Sequence, residues 1–217
     1  MNEILSSYQI RKCEDPDCGL RYPYVDDYTF GMRCPRCGGV TLAVTSKERH
    51  GDKNSDSFTP PGRRVAALLD NIRSAWNVGS MFRSADGAGI YQMHLCGITP
   101  TPEYPGVAKT ALGAEKSITW TWNADSIITA QLLREEGCQL WALEDDNRSE
   151  PISKMTEQDY GTPVVLIVGN EVCGVDPGLL ELCEKVFYIP MLGAKRSLNA
   201  AVAFGIAAYY IAWSNSL

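Results

Sequence analysis

The chain has 217 residues, 45% hydrophobic and 21% charged, the composition of an ordinary globular protein with one full domain and room for a small second one. No apolar run reaches the roughly 18–20 residues that span a bilayer, and the N-terminal stretch MNEILSSYQIRKC lacks the basic-then-apolar pattern of a secretory signal, so a cytoplasmic protein is expected. A formal net charge of −6 and a pI of about 5.0 argue against a chain coated in nucleic acid but leave room for local basic patches: Lys47, Arg49, Lys53, Arg63 and Arg64 surround one segment, and Lys195 and Arg196 are adjacent.

Residues 1–46 hold four of the eight cysteines. Cys13 and Cys18 form a C-x4-C pair, Cys34 and Cys37 a C-x2-C pair, and fifteen residues separate the two. Two close pairs bridged by a short loop offer four thiolates to a tetrahedral Zn²⁺. Gly19, Gly38 and Gly39 follow the second cysteine of each pair and permit tight turns that aim backbone N–H groups at sulfur. So short a segment cannot bury a self-sufficient core, and a structural zinc contributes about 10–16 kcal/mol in isolated fingers. Two disulfides are the competing pairing, disfavoured in a reducing compartment. A zinc ribbon is therefore expected, with no open catalytic position on the metal. Ribbons of this type bind either nucleic acid or protein. Residues 47–62, KERHGDKNSDSFTPPG, are polar and end in Pro-Pro-Gly, the composition of a linker.

From Arg63 to the C-terminus, short β-like runs alternate with helical stretches. RVAALLDNI is followed by NIRSAWNVGSMFRSADGAG, IYQMHLCGI, VAKTALGAE, ITWTW, SIITAQLLREEG, QLWALE, TPVVLIVGN, PGLLELCEK and VFYIPM. This alternation predicts an α/β fold with a mostly parallel sheet and helices on both faces. Continuous apolar runs such as VVLIV fit strands buried on both sides. Asn77 and Gly79 stand where the first helix is expected to begin, and Arg83 interrupts a face of small residues (Ser80, Ser84, Ala85, Ala88). Cys96, Cys138, Cys173 and Cys183 are dispersed and read as small buried hydrophobes. The last helix, SLNAAVAFGIAAYYIAW, is apolar nearly all round. Such a helix is either a core helix of one chain or packs under a second subunit as well. Ser197 is the expected N-cap, with Asn199 just inside.

Familiar catalytic solutions are absent. The sequence has no G-x-x-x-x-G-K-[ST] loop, no G-x-G-x-x-G after a strand and no G-x-S-x-G elbow, and its two histidines, His50 and His94, do not suggest a Ser-His-Asp hydrolase. Three segments at strand ends or helix starts remain: residues 71–89, 166–175 and 189–209. Open α/β sheets bind ligands beyond the carboxyl ends of their strands, so the three can converge on one crevice.

Together these segments resemble the SPOUT class of RNA methyltransferases, in its TrmH-like branch. The first is similar to N-x-x-x-N-x-G-x-x-x-R-x-A at Asn77, Gly79, Arg83 and Ala85, with Arg73 at its first position. The second is similar to G-N-E-x-x-G at Gly169, Asn170, Glu171 and Gly174. The third is similar to I-P-M-x-G-x-x-x-S-L-N at Ile189, Pro190, Met191, Gly193, Ser197, Leu198 and Asn199. The likeness covers about residues 63–217 and does not extend to residues 1–62. It implies transfer of a methyl group from S-adenosylmethionine to a ribose 2′-hydroxyl of tRNA or rRNA, a C-terminal trefoil knot, and a homodimer whose partner completes the site. By the same resemblance Arg83, Asn77, Glu171, Ser197 and Asn199 are the catalytic set. Gly169, Asn170, Glu171, Gly174, Ile189, Met191 and Leu198 hold the cofactor. Whether Arg83 acts as a base or only orients the hydroxyl stays open, since a guanidinium is a very weak acid. A SPOUT-type base methyltransferase and a non-catalytic, zinc-anchored RNA- or ribosome-binding factor are the alternative readings.

Overall fold

The computed structural model describes residues 4–25, 32–50, 64–155 and 162–213, and the chain divides into two units, Met1–Phe58 and Thr59–Leu217.

The first unit is a three-stranded antiparallel sheet in the order β2-β1-β3, with β1 Ile4–Cys13, β2 Arg21–Val25 and β3 Thr41–His50. Lys47–His50, polar enough to read as the start of a linker, instead continue β3. Lys47 pairs with Tyr8, Glu48 with Ser7, Arg49 with Ser6 and His50 with Ile4. Ladder hydrogen bonds come from the backbone, so strand pairing does not require apolar side chains. The remaining linker, 51–62, lies outside the described residues. Inside the unit Arg11 is buried across β1 and β3. Its Nε donates to Thr41 Oγ1 at 2.8 Å, its Nη2 to the Thr41 carbonyl at 2.7 Å and its Nη1 to Gln9 Oε1 at 2.6 Å. A buried cation is tolerated only when its donors are used in this way.

The second unit carries a seven-stranded sheet in the order β6-β5-β4-β9-β7-β10-β8, every pair parallel. Its elements in chain order are β4 Val65–Asp70, α1 Ala75–Ala88, β5 Gln92–Cys96, α2 Pro105–Ala111, α3 Ala114–Ser117, β6 Thr119–Asn123, α4 Ser126–Glu135 and β7 Gln139–Leu143. They continue with β8 Glu150–Pro151, a 3₁₀ turn at Ile152–Lys154, β9 Val164–Val168, α5 Pro177–Leu182, β10 Lys185–Tyr188 and α6 Ala200–Trp213. β4 is buried along its whole length because both sheet faces are covered. Val65, Ala67 and Leu69 face α1 and α6, with Phe82, Met81 and Phe204. Ala66 and Leu68 face the other way, toward Ala130, Leu133 and Leu179 of α4 and α5.

The helix starts differ from expectation. α1 begins at Ala75, two residues before Asn77, because Ser74 Oγ accepts the Asn77 N–H as N-cap. α6 begins at Ala200. Asn199, not Ser197, caps it: Asn199 Oδ1 accepts the Ala201 and Val202 N–H groups at 2.9 and 3.3 Å. Gly79 is a packing residue. A Cβ there would strike Thr110, the Val107 carbonyl and the Ala111 amide of α2. Within this chain α6 buries one stripe, Phe204, Ala207, Ala208 and Ile211, and leaves Val202, Ile206, Tyr209 and Tyr210 exposed, so one subunit does not cover the helix. Of the dispersed cysteines, Cys96, Cys138 and Cys183 are buried as expected, whereas Cys173 is exposed, on the loop after β9.

Candidate active site

β9, β7 and β10 lie side by side, and the segments leaving their carboxyl ends wall a cleft of about 1090 Å³. That is the size of a small-molecule pocket, and its position beyond the strand ends is where open parallel sheets bind ligands. Gly169, Asn170, Glu171, Gly174, Ile189, Met191, Leu198, Ser197 and Asn199 all line it.

The loop after β9 is built to be rigid. Gly169 must lack a Cβ, which would strike the Gly174–Val175 peptide. Asn170 and Gly174 exchange both backbone hydrogen bonds, at 3.0 and 2.9 Å, and Gly174 adopts φ +76°, a conformation open to glycine. The Asn170 side chain is spent on the loop itself. Its Oδ1 accepts from the Val172 and Cys173 amides, and its Nδ2 donates to the Asn71 carbonyl at 2.7 Å. Although it lines the cleft, Asn170 therefore positions backbone.

Glu171 reaches from that loop to the start of α1. Its Oε2 accepts the Arg73 N–H at 2.9 Å. Its Oε1 accepts the Ser74 N–H at 3.0 Å and Asn77 Nδ2 at 2.9 Å. Burial raises its pKa, but these hydrogen bonds outweigh burial and hold the carboxyl below its ordinary value. Asn77 Oδ1 in turn accepts from Asn199 Nδ2 at 3.1 Å. One hydrogen-bonded chain, Glu171–Asn77–Asn199, thus ties the three sequence segments together, across 94 and 122 residues of chain.

Arg83 stands apart. It lies six residues after Asn77, about 9 Å along the helix axis and a third of a turn away around it. It is exposed and is absent from the lining of the cleft. It shares the exposed stripe of α1 with Trp76 and Ser80, about two turns and one turn before it. Beside that stripe Trp76, Asn77, Ser80 and Ser84 of α1 and Val202, Gly205, Ile206 and Tyr209 of α6 wall a shallow groove of about 470 Å³.

The strand ends added lining residues that the motifs did not mark: Leu143 at the end of β7 with Glu144 and Asp145 after it, Tyr188 at the end of β10, and Lys195 and Arg196. Glu144 Oε2 accepts the Val175 N–H at 2.9 Å and so braces the same loop. The signal available in the sequence was their place at strand ends. Lys195 and Arg196 were visible only as adjacent surface charges. His94 sits on β5 inside the sheet, buried and away from the cleft, with burial lowering its pKa.

The four ribbon cysteines converge separately. Their sulfurs all lie within 4.8 Å of one another, with Cys13–Cys37 at 3.5 Å and Cys18–Cys34 at 3.7 Å. A tetrahedral site with Zn–S bonds of about 2.3 Å needs sulfurs about 3.8 Å apart, so the donor set fits zinc. Gly19 and Gly38 take positive φ in the two turns, and the Gly39 N–H points at Cys37 Sγ at 3.4 Å. Burial raises the Cys34 pKa, but the amides of Cys37 and Arg36 and two neighbouring thiols outweigh it and bring the thiol down to about 7.

Comparison with known proteins agrees with this geometry. The chain is 29% identical over 144 residues to a tRNA (guanosine(18)-2′-O)-methyltransferase of Thermus thermophilus, covering 65% of this chain and 71% of that protein. It is 32% identical over 152 residues to the enzyme of that name from Aquifex aeolicus, covering 67% of each. An AdoMet-bound rRNA methyltransferase from Sinorhizobium meliloti superposes with a TM-score of 0.66 at 28% identity, over 73% of this chain and 59% of that one. Residues 64–209 match the model of the SpoU rRNA methylase family, a stretch that contains the whole of the cleft lining, and the chain belongs to that family.

Proposed function

We infer that the protein transfers a methyl group from S-adenosylmethionine to a ribose 2′-hydroxyl of a tRNA or rRNA. The observation that carries this is the joining of three distant segments, through Glu171, Asn77 and Asn199, at the mouth of a cleft of cofactor size in a chain of this family. The Sinorhizobium relative is described as AdoMet-bound, and the lining here suits that molecule. Leu143, Val168, Ile189, Met191 and Leu198 would enclose the adenine. The carboxylates of Glu144 and Asp145 would take hydroxyl or amino groups, and Lys195 or Arg196 a carboxylate. When bound, that cofactor supplies a methyl group activated on a sulfonium.

In the transfer the 2′-oxygen would take the methyl group, the sulfur would keep the electron pair of the broken carbon–sulfur bond, and the hydroxyl proton would pass to solvent water. Arg83 orients the hydroxyl and stabilises the charge that develops on oxygen. Ser197 and Asn199 position the acceptor. Glu171 and Asn77 fix the start of α1, on which Arg83 is carried. Because Arg83 lies off the cleft wall of its own chain, a second copy brings it to a cleft. The exposed Trp76, Val202, Ile206 and Tyr209 beside it are the surface such a homodimer would bury. The C-terminal trefoil knot and the four-cysteine zinc belong to this reading. So does a cytoplasmic location, where tRNA and rRNA are found.

Alkaline digestion tests the proposal. RNA incubated with the protein and methyl-labelled S-adenosylmethionine should carry the label in alkali-resistant dinucleotides, because cleavage needs a free 2′-hydroxyl. Label released entirely in mononucleotides would point to the base and to the alternative enzyme.

A further inference from the structure

The unit from Thr59 onward must grip a polyanion, yet it carries twelve Lys and Arg against seventeen Asp and Glu. The ribbon's two faces differ in a way that addresses this. One face is closed: Arg11, Cys13 and Thr41 are buried on it. Side chains alternate along a strand, so Tyr8, Ile10 and Lys12 of β1 occupy the other face. The ladder sets Lys12 directly opposite Arg21 on one side and Leu42 on the other, and Ile10 opposite Pro23 and Thr45. Lys12, Arg21, Pro23, Leu42 and Thr45 are exposed. Like charges directly opposite repel and cost stability, and no ion pair involving either cation occurs among the described residues. Residues 8–13, 21–25 and 41–46 of the three strands include no Asp or Glu.

Resting on the function inferred above, we propose that the Lys12–Arg21 face of the ribbon is an RNA-docking surface that binds the phosphate backbone of the substrate. An uncompensated cation pair on an open sheet face, in an otherwise acidic chain, is matched by a polyanion. Phosphate contacts hold an RNA in place without reading its sequence. The half-exposed ring of Tyr8, about 14 Å along the strand from Lys12, offers a base a stacking surface beyond the phosphates. The zinc site then serves recognition by holding the sheet that carries the cations, and the cleft of the other unit retains the chemistry.

The test uses the full-length zinc-loaded protein with fluorescein-labelled unfractionated tRNA, titrated across 50–300 mM salt. The double variant Lys12→Gln/Arg21→Gln is compared with wild type and with Arg36→Gln, which removes one exposed cation from the C-x2-C turn. Loss of two phosphate contacts should weaken binding roughly tenfold or more near 0.1 M salt and reduce the salt slope by about 1.4–1.8. Zinc content and S-adenosylmethionine affinity should be unchanged, and in methyl transfer KM for RNA should rise with kcat kept. Unchanged affinity and slope would overturn the proposal and return the face to an acidic protein partner. An equal loss for Arg36→Gln would also overturn it, by showing an effect of net charge rather than of this face. Failure of the wild type to methylate any RNA would sink the function inferred for the cleft, a result independent of the binding comparison.

Discussion

Replacing Glu171 by Gln should loosen the junction between the β9 loop and α1. The carboxylate accepts three hydrogen bonds, from the amides of Arg73 and Ser74 and from Asn77 Nδ2, all at 2.9–3.0 Å. Glutamine has one accepting oxygen, and its NH₂ would face a backbone N–H, two donors with nothing between them. A hydrogen bond contributes about 0.5–1.5 kcal/mol net, and the residue is exposed, so water recovers part of each lost bond. The negative charge at the start of α1 adds about 0.3–1 kcal/mol. A loss of about 1–2 kcal/mol at pH 7 follows, read as a shift in the urea midpoint of unfolding with unchanged slope. The pH dependence gives a second check. The folded pKa of Glu171 is depressed, so its contribution is present above the unfolded value near 4.5 and is lost as pH falls through the folded value. The stability gap between wild type and variant should therefore be constant from pH 7 to 5 and shrink below pH 4. A gap near zero at pH 7, or one that persists unchanged at pH 3, would refute this account of the junction.

Gly79→Ala should destabilise the second unit by about 2 kcal/mol or more, seen as a fall in its melting temperature, because the added methyl meets α2 backbone that cannot rotate away. Cys34→Ser should lower the metal content from one zinc per chain to none by elemental analysis, since three thiolates and a hydroxyl hold zinc poorly. Ile206→Asp should convert a dimer to monomers in light scattering at low micromolar concentration, because it buries a charge in the apolar groove between α1 and α6; a dimer of unchanged mass would place the interface elsewhere.

The α/β alternation was legible because β4 and β9 are apolar at every position, as strands covered on both faces must be. The cysteine cluster was legible because its spacing is a metal spacing, and the cleft lining because its segments stand at strand ends and resemble the motifs of a known family. Long-range choices were not legible. Asn77 reads locally as a cap, but a carboxylate 94 residues away takes its side chain, and the capping falls to Ser74. Asn199 rather than Ser197 caps α6, which depends on where the chain turns after β10. Lys47–His50 read as linker because composition cannot reveal a partner strand forty residues earlier. The insertion of β9 between β4 and β7, which sets the loops of β9 and β7 side by side, is a property of the sheet order and of no single segment.

The most direct measurement pairs two readings on Arg83→Ala: calorimetric titration with S-adenosylmethionine, and mass analysis of nucleosides digested from RNA after incubation with wild type and variant. Arg83 lies off the wall of its own cleft, so the variant should bind the cofactor with wild-type affinity. Wild type should yield 2′-O-methylnucleosides, and the variant at least a hundredfold fewer, in line with removal of a group that stabilises developing charge on oxygen. Methyl found on the bases, or cofactor binding lost together with transfer, would contradict the assignment of the cleft and of Arg83.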